Sequence, residues 1–307
     1  MQRRSFGGGL AATLASGLLP AMAQSNSGAI PASRWQAIEA TVGGRLGVAV
    51  LDSASGQLQG HRLDQRFPMC STFKWLAAAL VLSRVDARRE RLERRIRFGK
   101  AALVDYSPAT APQAGGRGMT LAELCDATVT LSDNTAANLI LESFGGPAAV
   151  TRFARSLGDT ATRLDRTEPS LNEARPGDPR DTTTPRAMAV SLRAAVLGEA
   201  LSPAGREQLV RWLHATKTGD TRLRAGVPAG WGVGDKTGTG NRGSTNDVGV
   251  LWPPGRPPLV VAAYLTETAA PAERRHAALA DVARVVVQGM AQAPAPGIVQ
   301  GAAASRP

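Results

Sequence analysis

The chain has 307 residues, 43% of them hydrophobic, and a formal net charge of +11, which indicates one large domain or two interlocked domains with a substantial core. Because its arginines are dispersed and few aromatic residues lie among them, the charge does not indicate a nucleic-acid-binding protein. Only three histidines are present, none in a recognisable catalytic context, so the composition argues against a Ser-His-Asp triad and against a metal site.

Residues 1–23 are predicted to form an export signal. Arg3-Arg4 precedes a weakly apolar run rich in Gly and Ala, and Ala21-Met22-Ala23 closes that run as an A-x-A cleavage site. The arginine pair followed by Phe6 resembles a twin-arginine signal, with an ordinary secretory signal as the alternative. We therefore expect a periplasmic mature protein that begins near Gln24. It should carry no lipid anchor, since no cysteine directly follows the cleavage site, and no membrane span, since no later run reaches ~20 apolar residues.

Strand signals occupy the two ends of the mature chain, and helical signals lie between them. A helix over Pro31–Thr41, a strand over Arg45–Leu51 and its hairpin partner over Gln57–Arg62 come first. The helical block contains four predicted helices: Thr72–Asp86, Thr120–Ser132, Thr135–Phe144 and Pro147–Leu157. Thr120 and Glu123 form a capping box at the start of the second helix. Asp165–Thr184 has no period and is too long for an ordinary connector. Three strands and a final helix follow: Trp231–Thr237, Thr245–Trp252, Leu259–Thr266 and Pro271–Met290.

This order predicts an α/β (α+β) fold of two domains. Residues 24–64 and 217–307 are expected to form an antiparallel sheet flanked by the terminal helices. Residues 65–216 are expected to form an inserted all-helical domain, which includes the aperiodic loop at 163–181. A catalytic cleft is expected where the two domains meet.

The first candidate motif is Ser71-Thr72-Phe73-Lys74, just before the apolar run that starts at Trp75. At this spacing the hydroxyl and the amine lie on one helix face, one turn apart, and the helix start favours developing negative charge. This arrangement activates a serine without a histidine. Arginine outnumbers lysine 32 to 4 in this chain, which suggests that Lys74 and Lys236 are needed for an amine whose pKa is adjustable. An N-cap serine followed by a solvated lysine is the alternative for this tetrapeptide alone.

Two further clusters strengthen the catalytic interpretation. Ser132-Asp133-Asn134 falls between two predicted helices, and Lys236-Thr237-Gly238-Thr239 lies on a predicted strand, where the small Gly238 lets another molecule approach the backbone. Each is weak alone. Together with Ser71 and Lys74, in this order, they match the S-x-x-K, S-D-N, K-T-G set of class A β-lactamases and penicillin-binding proteins.

A fourth cluster separates these two families. Glu168-Pro169-Ser170-Leu171-Asn172 resembles the E-x-x-L-N of class A β-lactamases, whose omega loop holds the deacylating water and which penicillin-binding proteins generally lack. Arg166 and Asp181 match the ion pair that pins the ends of that loop, and Tyr106 matches the aromatic residue at the cleft mouth. Over nearly the whole mature chain the sequence is similar to class A serine β-lactamases, with some features of carbapenem-hydrolysing and Pen-type members. The resemblance implies the β-lactamase/DD-peptidase fold and hydrolysis of penicillins and cephalosporins. It also implies no cofactor and no metal, a β-lactam as the small-molecule partner, and a monomer.

The resemblance also implies how acylation is shared among the motif residues. Ser71 would attack the lactam carbonyl, with its own N–H and that of Thr239 forming the oxyanion hole. Lys74, or Glu168 through a water, would take the serine proton, and these two alternatives stay open. Ser132, held by Lys236, would relay a proton to the leaving nitrogen.

For deacylation and substrate binding the resemblance assigns a further set. Glu168 and Asn172 would position the hydrolytic water. Asn134 would bind the substrate's acylamide, and Thr237 and Thr239 its carboxylate. Many family members carry an arginine where this chain has Thr245, so Arg222, or else Arg275, is expected to supply the cation for that carboxylate.

Two cysteines are present, and both are expected to be free thiols. In some family members a cysteine placed like Cys70 bonds to one at the position of Gly240, and one placed like Cys125 bonds to one at the position of Ala78. Neither partner exists here. A serine DD-peptidase remains one alternative function, and a β-lactam sensor that acylates once is another, although the sensor would need a membrane segment or fused domain.

Overall fold

The computed structural model describes residues 29–292, and its core is one five-stranded antiparallel sheet. The sheet strands are β1 (Arg45–Asp52), β2 (Leu58–His61), β7 (Gly232–Thr239), β8 (Thr245–Trp252) and β9 (Leu259–Thr266). Their order is β2-β1-β9-β8-β7, so the last strand in sequence lies at the centre and β7 at an edge. Four two-residue strands form two small ladders: β3 (Phe67–Pro68) with β6 (Thr182–Thr183), and β4 (Arg95–Ile96) with β5 (Met119–Thr120).

Within the described residues, eight α-helices pack on the sheet and on one another: α1 (Ala32–Val42), α2 (Phe73–Asp86), α3 (Leu121–Thr130), α4 (Asn134–Ser143), α5 (Ala148–Ser156), α6 (Pro185–Val196), α7 (Pro203–His214) and α8 (Ala272–Gln292). The terminal helices α1 and α8 pack on one face of the sheet, where Trp35, Leu46 and Leu279 share a buried cluster. On the other face α6 contacts β1 and β9, while α2 contacts α3, α4, α5 and α7. None of the helices within residues 29–292 is long and apolar enough to cross a bilayer.

The predicted α/β two-domain fold is confirmed, together with the predicted strands and helices of the described region, to within a few residues at their ends. The capping box of Thr120 with Glu123 is present. The predicted helix Thr120–Ser132 was wrong at its end: α3 stops at Thr130 because Ser132 adopts a left-handed backbone with φ 61°. The predicted signal of residues 1–23 lies outside the described residues, as does the chain beyond Gln292.

Helices α6 and α7 were not individually predicted, although both carry clear start signals. Each begins with proline at its first turn, preceded by a capping residue, Thr184 or Ser202, whose side chain accepts a backbone N–H. These two helices join the sheet to α2, and they bring the lysine-bearing strand β7 close to the turn that carries Ser71.

Candidate active site

Ser71 lies in a tight turn between β3 and α2. Cys70, directly before it, has a left-handed backbone (φ 46°), and Cys70–Thr72 form a 3-10 turn that leads into α2. The alternative of a capping serine with a solvated lysine is wrong, because Ser71 makes no side-chain cap and Lys74 is fully buried. The Ser71 hydroxyl donates instead to Glu168 Oε1 at 3.0 Å.

Lys74 Nζ is at the centre of a buried polar network. It donates to the backbone oxygen of Ser132 at 2.8 Å and to Asn134 Oδ1 at 2.6 Å, and it lies 3.0 Å from Glu168 Oε1. Burial lowers the pKa of Lys74, while the charge of Glu168 acts in the opposite direction. Three acceptors therefore surround the three hydrogens of an ammonium group.

Ser132 connects the two buried lysines. Its hydroxyl accepts from Lys236 Nζ at 3.1 Å and lies 3.4 Å from Lys74 Nζ, because the left-handed backbone at this residue turns the side chain between them. Burial, followed by the charge of Lys74, lowers the pKa of Lys236 to about 7. The arrangement is a short relay of exchangeable protons beside Ser71.

Glu168 lies on the loop predicted at 163–181, and its carboxylate is held from both sides. Asn172 Nδ2 donates to Oε2 at 2.5 Å, while Ser71 and Lys74 contact Oε1. Asn138 on α4 makes two hydrogen bonds with the backbone of Glu168: its Nδ2 donates to Glu168 O and its Oδ1 accepts from Glu168 N, both at 2.9 Å. Asn138 was not predicted. The spacing of Asn138 could have indicated its place in the site, because it follows Asn134 by four residues on one helix and both side chains therefore lie on one face.

Arg166 and Asp181, the predicted ion pair, lie at the base of this loop. The buried Asp181 carboxylate accepts from Arg166 Nε at 2.6 Å and from the backbone N–H groups of Asp165 and Arg166. Arg166 also reaches Glu173 within the loop at 2.7 Å. The loop is thus fixed by charge-assisted hydrogen bonds at the point where it leaves the protein body.

The edge strand β7 forms the opposite wall. A Cβ on Gly238 would lie 2.7 Å from the backbone oxygen of Met69, so this glycine first serves to let β7 pack on the turn that carries Ser71. Thr237 and Thr239 follow on the same strand, and the Thr237 hydroxyl lies 2.6 Å from that of Thr218. Thr218 is a site residue that the sequence analysis missed.

Arg222 is anchored beneath the end of β7. Its Nη1 donates to Gly238 O at 2.9 Å and Asn246 O at 2.7 Å, and its Nη2 donates to the Thr239 hydroxyl at 2.7 Å. Burial lowers the pKa of Arg222. The pKa of His276, whose Nε2 lies 3.4 Å from Arg222 Nη2, is also lowered, first by its own burial and second by the positive charge of Arg222. The guanidinium thus faces the hydroxyl that ends the strand.

These elements enclose a cavity of about 380 Å³. Ten residues line it: Ser71, Tyr106, Ser132, Asn134, Asn172, Thr218, Arg222, Thr237, Gly238 and Thr239. Lys74, Glu168 and Lys236 are buried and bonded to lining residues, so the structure brings together every predicted catalytic residue. Arg275, the second predicted carboxylate ligand, is not on the cavity wall.

Both cysteines are buried and unpaired. Cys70 Sγ would lie 2.6 Å from a Cβ built on Gly240, so the glycine leaves room for this thiol behind the nucleophile. Burial raises the pKa of both thiols. Neither is therefore suited to act as a nucleophile.

Comparison with known proteins agrees with this geometry. Residues 31–290 match the model of the family described as the β-lactamase enzyme family. The β-lactamase CTX-M-8 of Citrobacter amalonaticus is 47% identical over 89% of this chain and 92% of its own length. Among solved structures, an ancestral (GNCA) class A β-lactamase has 64% identity and a TM-score of 0.82, covering 83% of this chain and 98% of its own. The class A β-lactamase of the last common ancestor of Gram-negative bacteria (GNCA4) has 62% identity and a TM-score of 0.83, over 84% of this chain and 98% of its own.

Proposed function

The chain belongs to the class A serine β-lactamases, hydrolases that open the β-lactam amide and confer antibiotic resistance, and from this premise we propose how its own residues carry out the two half-reactions. Ser71 is the nucleophile and Glu168 is the base that removes its proton. The observation that carries this proposal is the 3.0 Å hydrogen bond from the Ser71 hydroxyl to Glu168 Oε1. Lys74 makes three donor contacts and is better suited to stabilise charge than to accept a proton.

In acylation, Ser71 Oγ forms a bond to the lactam carbonyl carbon as its proton passes to Glu168. The N–H groups of Ser71 and Thr239 stabilise the oxyanion. Collapse of that intermediate breaks the ring C–N bond, and Ser132 donates its proton to the departing nitrogen. Lys74, 3.0 Å from Glu168 Oε1 and 3.4 Å from the Ser132 hydroxyl, returns a proton to Ser132 as it receives the one that Glu168 took from Ser71, so Glu168 is again a carboxylate when deacylation begins. Lys236, 3.1 Å from the Ser132 hydroxyl, holds that hydroxyl in place.

In deacylation, Glu168 and Asn172 position a water, and Glu168 takes its proton as the water oxygen attacks the ester carbonyl carbon. The ester C–O bond then breaks, and Glu168 passes that proton to Ser71 Oγ, which regenerates both groups. The two hydrogen bonds between Asn138 and the Glu168 backbone support this proposal, because a general base must keep its position through both steps. Substrate binding is assigned to Asn134 for the acylamide, and to Thr237, Thr239 and Lys236 for the carboxylate.

Arg222 is proposed as the additional cation for that carboxylate, ahead of Arg275. It lines the cavity and donates to Thr239, whereas Arg275 is not among the lining residues. Penicillins and cephalosporins, which carry such a carboxylate, are the proposed substrate classes. Tyr106, 60% exposed at the mouth of the cavity, offers its ring to their side chains.

Export to the periplasm is also proposed, on the signal-like sequence of residues 1–23, and the domains are proposed to have the bounds given above. The test of the mechanism is a time course of chromogenic cephalosporin hydrolysis by the purified mature protein. Turnover far beyond one equivalent is expected. A burst of one equivalent that then stops would mean that Ser71 acylates but Glu168 does not release the product, as in a peptidase or a sensor.

A further inference from the structure

A second cavity, of about 400 Å³, lies beneath the outer part of the catalytic loop. We call residues 174–180 the outer limb and the space beneath it the loop cavity. One wall belongs to the protein body, with Arg45 and Glu267 at the ends of β1 and β9 and Arg66 before β3; the outer limb forms the other. The loop cavity shares no lining residue with the catalytic cavity, so it is a separate site.

The lining of the loop cavity is strongly basic. Five arginines line it, against two carboxylates, those of Asp178 and Glu267: Arg45, Arg66, Arg166, Arg175 and Arg180. Most of this charge is paired. Arg45 contacts Glu267 and Arg180 contacts Asp178, each at 2.7 Å. Glu173 is shared by Arg166 and Arg175.

Arg66 differs from the other four. Its Nη1 donates to Ala161 O at 2.8 Å and to the Thr182 hydroxyl at 2.9 Å, both neutral acceptors. Among residues 29–292 no carboxylate forms a salt bridge with it. One guanidinium facing the loop cavity is therefore not neutralised, and it lies next to four others that retain unused donors.

We propose that the loop cavity binds a small multivalent oxyanion, of the pyrophosphate or phosphorylated-metabolite class. Planar guanidinium groups bind phosphate oxygens through paired hydrogen bonds, which favours this class over a halide or a single carboxylate. The volume suits such a ligand, since ligand cavities typically span about 300–1,000 Å³.

A bound oxyanion would bridge the two walls. Arg66 and Arg45 approach it from the body, and Arg175 and Arg180 from the outer limb. The limb begins at Ala174 (φ 52°) and meets Asp181 (φ 56°) at its far end, where Arg166 Nε donates to the Asp181 carboxylate at 2.6 Å. The segment between these two residues spans the cavity. The ligand would therefore hold the middle of the limb to the sheet, and the limb itself begins two residues after Asn172.

The test uses inorganic pyrophosphate and the full mature protein in low-salt buffer, because screening weakens such contacts. Calorimetric titration should give saturable one-site binding, and hydrogen exchange of residues 174–180 should slow at saturation. Arg66→Gln should raise the Kd at least tenfold, and Arg180→Gln, on the opposite wall, at least threefold. Arg97→Gln removes the same charge from an exposed site outside the loop cavity and should change the Kd less than twofold.

The outcomes separate this proposal from the proposed mechanism. Equal Kd values for Arg66→Gln, Arg180→Gln and Arg97→Gln would overturn the proposal, as would competition between pyrophosphate and a β-lactam, which would place the anion at Arg222. Cephalosporin turnover without pyrophosphate reports on the catalytic residues independently. Arg180→Gln keeps the test decisive if loss of the Arg66 contacts unfolds that variant.

Discussion

Replacing Glu168 by glutamine is expected to convert the enzyme into one that acylates and then stops. The substitution keeps the side-chain volume at a residue that is only 2% exposed, but the amide cannot accept a proton. General-base catalysis contributes about 10²–10⁴-fold, so kcat should fall by that factor, which corresponds to ~3–5 kcal/mol in the barrier at 1.36 kcal/mol per decade.

We expect the substitution to lower the rate of deacylation more than the rate of acylation. Loss of the Glu168 charge removes the only carboxylate within 4.0 Å of Lys74 Nζ among the described residues, so burial should lower the pKa of Lys74 further. A neutral Lys74 can then take the Ser71 proton, and acylation continues at a reduced rate. The proposed hydrolytic water is positioned by Glu168 and Asn172, and the Asn172 amide cannot take a proton, so deacylation should fall more and the acyl-enzyme should accumulate.

The assay is a burst measurement with a chromogenic cephalosporin, followed by intact-protein mass spectrometry. One equivalent of product and a mass increase on Ser71 are expected. Glu142→Gln, an exposed residue near the end of α4, is the matched control and should keep turnover within about threefold of the parent. Sustained turnover by the Glu168 variant within tenfold of the parent would refute the assignment of the base.

Three further predictions follow from the site. Because the pKa of Lys236 is lowered to about 7, its positive charge is present below that pH and lost above it. The KM for a cephalosporin whose carboxylate binds Lys236 should therefore rise as the pH passes upward through 7. Lys236→Arg should move that rise to higher pH. Asp181→Asn leaves Arg166 without its buried partner and should lower the free energy of unfolding by about 3–5 kcal/mol, measured by urea denaturation against the exposed pair variant Asp64→Asn, for which we expect under 1 kcal/mol. Arg222→Ala should raise KM for the same cephalosporin at least tenfold and Arg275→Ala less than threefold, and the reverse order in steady-state kinetics would identify Arg275 as the carboxylate ligand.

Much of the site was predictable because its chemistry is local in sequence. Ser71 and Lys74 are one helical turn apart, and Glu168 and Asn172 share one loop, so spacing alone places each pair together. The joining of the three motifs into one cavity came from the family resemblance, since no periodicity relates Ser132 to Lys236.

What the sequence did not predict depends on contacts between distant segments. Position 238 requires glycine because the backbone oxygen of Met69 lies close to it. Asn138 can position Glu168 only because the catalytic loop packs against α4. The end of α3 was misplaced because helix propensity continues to Ser132, whereas hydrogen bonds with both lysines favour a left-handed residue there. The two-residue strands carry too few residues to show a period of two.

The position of β9 at the centre of the sheet has a consequence for how the chain reaches its native state. Until Leu259–Thr266 has been synthesised, β1–β2 and β7–β8 are separate hairpins, each with an open edge that other chains can pair with. The contact that joins them links residues such as Arg45 and Glu267, 222 positions apart, and pairings of such long sequence separation form slowly. We therefore expect the site to be completed late in folding, and a chain truncated before Leu259 to be inactive and prone to aggregate, even though every catalytic residue is present in it.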